Sequence, residues 1–391
     1  MTGTYVELNP PIRLLLGPGP SNVDPRVLRA MAAPVIGHLD PEFLKIMDET
    51  KQLLQYAFQT DNYLTLPLSG TGSAGMEAAL CNVIEPGDKV VVCVNGFFGE
   101  RMCDMVQRCQ GELIRIEAEW GQTIKPQQVG SVLKQAKVKV VAIVHAETST
   151  GILQPLEDIS RLAHEHGALL LGDAVTSLGG CPLKVDDWDL DVVYSGTQKC
   201  LSCPPGLAPI TFSSRAQEVL DARQTKVQSW YLDMTMIQRY WGAERFYHHT
   251  APISMCYALR EALRLVHDEG LEVRWQRHEL NQRALMAGLQ AMGLQPFAQE
   301  GHRLPSLNAV RVPEGIEDAA VRGRLLQEYG IEIGGGLGKL KGKIWRIGLM
   351  GYNSTKKTVL MFLGALEAVL RAEGYPVRSG AALAAADKVY G

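Results

Sequence analysis

Two residues of opposite charge, far apart in the chain, stand where α/β proteins place reactive groups. Asp173 closes the apolar run "LLLGD", and Lys199 follows shortly after a second apolar run in "VVYSGTQK". In a parallel sheet buried on both faces, ligands sit at the carboxyl ends of the strands, so the two side chains can meet over one crevice. A lysine amine there can form a Schiff base with an aldehyde, and a carboxylate can keep a heteroaromatic nitrogen protonated so that the ring acts as an electron sink. Either residue alone reads as a solvated loop charge.

A third group is needed to hold such a ring, and "SGTGSAG" (Ser69 to Gly75) offers one. It contains a G-x-G-x-x-G, but a dinucleotide fold also wants an acid about twenty residues on, at the end of the next strand. Here the next strand, "KVVVCV", ends in Asn95-Gly96. What is left is a turn of small residues running into a helix, with the Thr71 and Ser73 hydroxyls and several backbone N–H groups at its positive end, which suits a phosphate monoester. By itself the loop reads equally as a glycine-rich turn with a capped helix. Joined to Asp173 and Lys199, it makes pyridoxal 5'-phosphate the expected cofactor.

The elements that must position these residues follow from the hydrophobic pattern. Helical stretches such as "PEFLKIMDETKQLLQYAF" (Pro41 to Phe58), "AGMEAALCNVI" and "LEDISRLAHEHG" alternate with apolar β-branched runs such as "KVVVCV", "KVVAIVHA", "ALLLGD" and "DVVYSG". That alternation predicts an α/β fold, a mostly parallel sheet flanked by helices. After helices from Ile253 to about Gly293, the remaining strands and helices suit a smaller C-terminal α+β domain. The expected organisation is an N-terminal segment at residues 1–14, a large domain over 15–268 and a small one over 269–391.

Composition bounds the partners. The chain has 391 residues, a formal net charge of -3 and no basic run, so it points to small-molecule substrates rather than nucleic acid or an anionic membrane. No apolar stretch is long enough to span a bilayer and the first residues lack a signal pattern, so the expected location is cytoplasmic. The 8 cysteines form no disulfide framework. Cys200 and Cys203 make a lone C-x-x-C without a second ligand pair, and no metal is expected. "VDDWDLD" (Val185 to Asp191) reads as a solvated turn before a strand, and His164 and His166 read as residues of a helix surface.

The sequence resembles the class V aminotransferases of pyridoxal phosphate fold type I, and within them the alanine-glyoxylate and serine-pyruvate aminotransferases. The motifs "LLLGPGPSN", "SGTGSAGMEAAL", "HAETSTGILQPL", "SGTQK", "WYLDM" and "YHHTAP" carry the resemblance across nearly the whole chain. It implies Lys199 as the Schiff-base lysine, Asp173 as the partner of the pyridine nitrogen, and Val175 and Phe98 against the ring faces. Thr148 would bond the ring hydroxyl, and Thr71, Gly72, Ser73 and Gln198 would surround the phosphate. Tyr247 and Thr250 are similar to residues that reach the phosphate from a neighbouring subunit, which implies a homodimer with composite sites. Arg346, in "KIWRIGLMG", resembles the clamp for the substrate carboxylate. Its ordinary reading is a salt-bridged surface residue.

The implied reaction is ping-pong transfer of an amino group from a small amino acid to a 2-oxo acid, with L-alanine as donor and glyoxylate as acceptor. Serine-pyruvate and serine-glyoxylate transamination stay open, as do the relatives that act on ureidoglycine or hydroxykynurenine. A lyase such as a cysteine desulfurase usually has histidine immediately before the lysine, where this chain has Gln198. Animal relatives often carry histidine at the position of Ser73 and tryptophan at that of Phe98.

Overall fold

The computed structural model describes residues 5–391, so the first four residues of the segment expected at 1–14 lie outside the described residues. In chain order the strands are β1 (Leu14–Leu16), β2 (Leu64–Ser69), β3 (Lys89–Val94), β4 (Glu112–Glu117) and β5 (Val140–Val144). The short hairpin of β6 (Ala146–Glu147) and β7 (Ile152–Leu153) comes next, then β8 (Leu169–Asp173), β9 (Val192–Tyr194) and β10 (Leu207–Phe212). Seven of these form the central sheet, in the order β2-β10-β9-β8-β5-β3-β4.

Strands β4, β3, β5, β8 and β9 pair in parallel, and the apolar runs of β3, β5, β8 and β9 are buried, whereas β4, at the edge of the sheet, buries only Ile116. β10 departs from that pattern by running antiparallel to both β9 and β2. An antiparallel return needs no crossover helix. The chain between β9 and β10 is therefore a helix-free loop at the strand ends, and it is this loop that carries Lys199.

Helices α1 (Pro25–Met31), α2 (Pro41–Phe58), α3 (Gly72–Val83), α4 (Phe97–Arg108), α5 (Pro126–Leu133), α6 (Glu157–Glu165), α7 (Ser214–Asp221), α8 (Met234–Trp241) and α9 (Ile253–Glu269) belong to this part. The bounds of α2 show local sequence at work. Asp40 caps it by accepting from Glu42 N–H, Pro41 opens it, and Gln59 ends it in a left-handed conformation at φ 53°.

Past Gly270, which has φ 80°, come α10 (Leu271–Ala291), β11 (Leu307–Arg311), α11 (Asp318–Tyr329), β12 (Ile331–Gly335), β13 (Ile344–Gly348), α12 (Lys356–Ala372) and α13 (Ala381–Tyr390). A second sheet runs β1-β12-β13-β11. The chain thus enters the small sheet at Leu14 to Leu16, before building the large one, and Leu16 packs in the second hydrophobic cluster. Helix α10 crosses between the two cores: Leu271 and Trp275 pack in the first, Leu285 and Leu289 in the second. No described helix is long and apolar enough to cross a membrane.

The acidic turn is exposed at Asp186, Asp187 and Asp189, as the sequence suggested, but its last acid is not. Asp191 is fully buried and accepts from Leu170 N–H (2.8 Å) and Ser213 Oγ–H (2.9 Å), while Arg215 and His164 pair with it. Asp186 accepts from Asp61 N–H at 2.8 Å. His164 accordingly lies between Asp189 and Asp191 rather than on an open helix surface. Its partners come from distant segments, so helix periodicity alone gave no sign of them.

Candidate active site

The loop after β2 is shaped by what its glycines allow. Gly70 has φ 149°, and a Cβ there would lie 2.6 Å from Ala74 Cβ. A Cβ on Gly72 would come to 3.2 Å from Val175 Cγ2, and one on Gly75 to 3.0 Å from Ala208 Cβ, so these glycines let α3 seat its first turn directly on the sheet. Thr71, the N-cap, makes no side-chain capping bond. The positive end of α3 is thereby left open toward a cavity of about 230 Å³.

That cavity is bounded by Thr71, Gly72, Ser73, Phe98, Thr148, Asp173, Val175, Gln198 and Lys199, together with Met76, Arg101, Ala146 and Thr176. Nine residues singled out in the sequence therefore meet around one space. Tyr247 and Thr250 do not: both are exposed elsewhere on the surface, with Tyr247 Oη 3.5 Å from Thr250 Oγ1. Arg346 is not part of the wall either, but Nη1 donates to the carbonyl of Thr148 at 3.3 Å.

Asp173, at the end of β8, is 3 % exposed. Its Oδ1 accepts from Val175 N–H at 2.8 Å and its Oδ2 from Tyr194 Oη–H at 2.7 Å. Burial pushes its carboxyl up to about 6, against the pull of these two hydrogen bonds and of Lys199. Lys199 Nζ donates to the carbonyl of Pro18, and burial, with Arg346 nearby, pushes its amine down to about 8. The opening "GPGPSN" explains its fit: Gly19 has φ 106°, and a Cβ there would lie 2.5 Å from Nζ. Ser21 fastens the same segment, donating from Oγ to Lys199 O at 2.9 Å and from N–H to Gln198 O at 2.9 Å.

Arg346 lies on β13, 5 % exposed, with Trp345 and Ile347 packed in the small core. Its Nε donates to Gly335 O at 2.7 Å. Burial pushes its guanidinium down to about 10, with Glu147 pulling the other way. Among the described residues no acidic side chain forms an ion pair with it. It is a buried cation with capacity for an incoming carboxylate.

Sequence reasoning missed three neighbours. Arg101 donates to Ser73 Oγ at 3.0 Å and lies 4.9 Å from the centroid of the Phe98 ring; its position one turn into the helix after "NGFF" was the available signal. Tyr194 and Glu147 gave less, because their partners lie on other strands and loops.

A strand-end carboxylate, a buried lysine amine and an open helix N-terminus thus line one cavity in an α/β fold. The chain belongs to the class V aminotransferase family, whose model matches residues 14–358, and it is a transaminase of the kind that depends on pyridoxal phosphate. It is similar to the crystal structure of an alanine–glyoxylate aminotransferase from Nostoc sp., with 51% identity, TM-score 0.93, and 94% of this chain and 98% of that chain covered. The structure of ureidoglycine–glyoxylate aminotransferase from Bacillus subtilis matches with 45% identity, TM-score 0.97, and coverage of 98% and 100%. Alanine–glyoxylate aminotransferase of Callithrix jacchus is 43% identical over 93% of this chain and 89% of its own length.

Proposed function

We propose that this protein transfers the amino group of a small amino acid, L-alanine first, to glyoxylate, giving pyruvate and glycine by a ping-pong cycle with pyridoxal 5'-phosphate. The observation that carries the reading is the meeting of Lys199 and Asp173 on one cavity at the open end of α3. The residues present fit the cofactor. Among the described residues the buried Gln198 Oε1 has no hydrogen-bond partner, and its amide can turn either end toward a phosphate beside Thr71 and Ser73. Lys199 would hold the aldehyde carbon, Asp173 would face the ring nitrogen, Phe98 and Val175 would contact the ring, and Thr148 its hydroxyl.

When bound, the cofactor supplies an aldehyde for the amino group and a ring that withdraws electrons as the substrate Cα–H bond breaks. Lys199 Nζ, its amine pushed down to about 8 by burial, takes that proton from Cα and returns one later in the cycle. Asp173, charged above about pH 6, favours a proton on the ring nitrogen. Arg346 orients the substrate by its carboxylate.

Tyr247 and Thr250 belong to the same reading as residues offered to a second subunit. Support comes from their exposure and from the exposed aromatics Trp230, Tyr231 and Phe246 near them in the chain, a surface suited to a homodimer partner. The division into a large part over 15–268 and a small part over 269–391 is likewise proposed, with β1 lent to the small sheet.

A second reading has ureidoglycine as donor, favoured by the Bacillus subtilis match over nearly the full length of both chains. Glyoxylate is the acceptor in both. A donor panel of alanine, serine and ureidoglycine against glyoxylate, ranked by kcat/KM, decides between them. The same preparation should be yellow, with a band near about 410–420 nm that is lost in Lys199→Ala. Its transamination should fall by about a thousandfold or more. Retention of band and turnover by Lys199→Ala would remove the basis of the proposal.

A further inference from the structure

Helix α4 has no cap of its own. Gly96 stands at its N-cap position, and no side-chain bond is made there. Its first two amides are satisfied across space instead: Phe97 N–H donates to Ser149 Oγ at 2.9 Å and Phe98 N–H to Glu147 Oε2 at 3.0 Å. The other carboxylate oxygen, Glu147 Oε1, accepts from Ser149 N–H at 3.0 Å and from Ser149 Oγ–H at 2.6 Å. Glu147 is 0 % exposed. The glycine makes this approach possible, because a Cβ on residue 96 would lie 2.2 Å from Glu147 Cγ and 2.3 Å from Cδ.

One buried carboxylate therefore joins two segments that contribute separately to the cavity wall: the start of α4, which carries Phe98, and the turn after β6, which carries Thr148. A negative charge is favourable at a helix N-terminus, and charge-assisted bonds to N–H groups are the strong kind. We propose that Glu147 is a positioning residue that sets Phe98 and Thr148 around the cofactor ring by gripping α4 and the β6–β7 turn with a single carboxylate. The proposal rests on the pyridoxal phosphate reading above. Its chemistry is hard to replace. A glutamine has one acceptor oxygen, so its NH₂ group must face either the Phe98 amide or the Ser149 donors, and one segment is released. An aspartate keeps the charge but is one methylene short.

The test is titration of pyridoxal phosphate, and separately of phosphate-free pyridoxal, into cofactor-free wild type, E147Q, E147D and S149A. Affinity is read from visible absorbance, ring orientation from the visible circular dichroism of the bound cofactor, and folding from the Tm of the cofactor-free protein. E147Q is expected to weaken both ligands by a similar factor, roughly tenfold or more, and to diminish the dichroic band. E147D and S149A are expected to show smaller losses of the same kind. A purely architectural role would lower Tm while the folded protein kept wild-type affinity and dichroism, and that result overturns the proposal. A loss confined to pyridoxal phosphate also overturns it, since the phosphate cradle and not the ring would then be affected. Should E147Q fail to fold, E147D and S149A decide by the same readings. Wild type that binds no pyridoxal phosphate would bring down the cofactor reading itself, whereas wild-type binding with unchanged variants brings down the role of Glu147 alone.

Discussion

Two buried aspartates on neighbouring strands meet opposite fates. Asp191 sits just before β9, at the amino end of the sheet, where Arg215, His164, Ser213 and the Leu170 amide converge on it. Asp173 ends β8, at the carboxyl end, with only Val175 N–H and Tyr194 Oη–H as hydrogen-bond donors to its side chain among the described residues. No cation forms an ion pair with it among the described residues, and its carboxyl is pushed up to about 6 by burial. The protein neutralises one charge completely and leaves the other short of a partner. A buried charge whose compensation is missing marks the place where a ligand completes the structure.

The largest expected effect tests that contrast directly. On the proposed reading Asp173→Asn should lower kcat by about 10²- to 10⁴-fold, because the ring nitrogen would lose its anionic partner, while changing stability within about 1 kcal/mol. Asp191→Asn should do the reverse. It strands Arg215 and His164 and costs toward the lower side of the roughly 3–5 kcal/mol seen for broken buried pairs, since Arg215 is 44% exposed and can turn to water. The folded Asp191→Asn protein should keep near wild-type kcat. Steady-state kinetics and denaturant midpoints on the cofactor-free protein separate the two, and a kinetic defect in Asp191→Asn as large as that in Asp173→Asn would end the distinction.

Arg346 extends the comparison to cations. Unlike Arg215, it has no acidic ion-pair partner among the described residues, and its hydrogen bonds go to the Gly335 and Thr148 carbonyls. Arg346→Gln should raise KM for both the amino donor and the oxo acid by about tenfold to a hundredfold, since each substrate carries the same carboxylate. Arg346→Lys should recover only part of this, because an ammonium cannot supply two parallel N–H bonds. An effect on one substrate alone would place Arg346 outside the shared carboxylate site.

Which of these features could be read from the sequence follows from how local their causes are. The ends of α2 and β3 fall where the sequence puts them, because Asp40, Pro41 and the run of valines decide them within a few residues. Asp173 and Lys199 were legible because each follows an apolar strand closely, and "SGTGSAG" because small residues before a helix have few other uses. Asp191 was misread as solvated, since its charge is met by residues from α6, α7 and β8 that only the fold gathers. The reversal of β10 was hidden for a related reason: "LAPITF" contains Pro209, which the register sets opposite Pro67 of β2, and proline weakens the local strand signal. Glu147 and Arg101 became visible only with the contacts between elements.

The smallest expected effect lies in the network around Asp191. His164 bonds Asp191 and lies beside Asp189, and its pKa is raised, first by the Asp191 hydrogen bond. A group whose folded pKa exceeds the ordinary imidazole value of about 6.5 stabilises fully below that value, and the contribution is lost as pH rises through the raised one. Wild type should therefore lose about 1 kcal/mol or less as pH rises from about 6.5 through the raised pKa, a modest figure because the pair is partly exposed to water. Other groups also titrate nearby: Glu147, pushed up to about 7, weakens the fold as pH climbs toward that value, and Lys199, pushed down to about 8, acts above it. The useful quantity is the difference between wild type and His164→Gln at fixed protein concentration, in which those shared contributions cancel. That difference should shrink as pH rises across the window. A difference independent of pH would mean that His164 is held neutral beside Asp191, and that the network balances its charge through Arg215 alone.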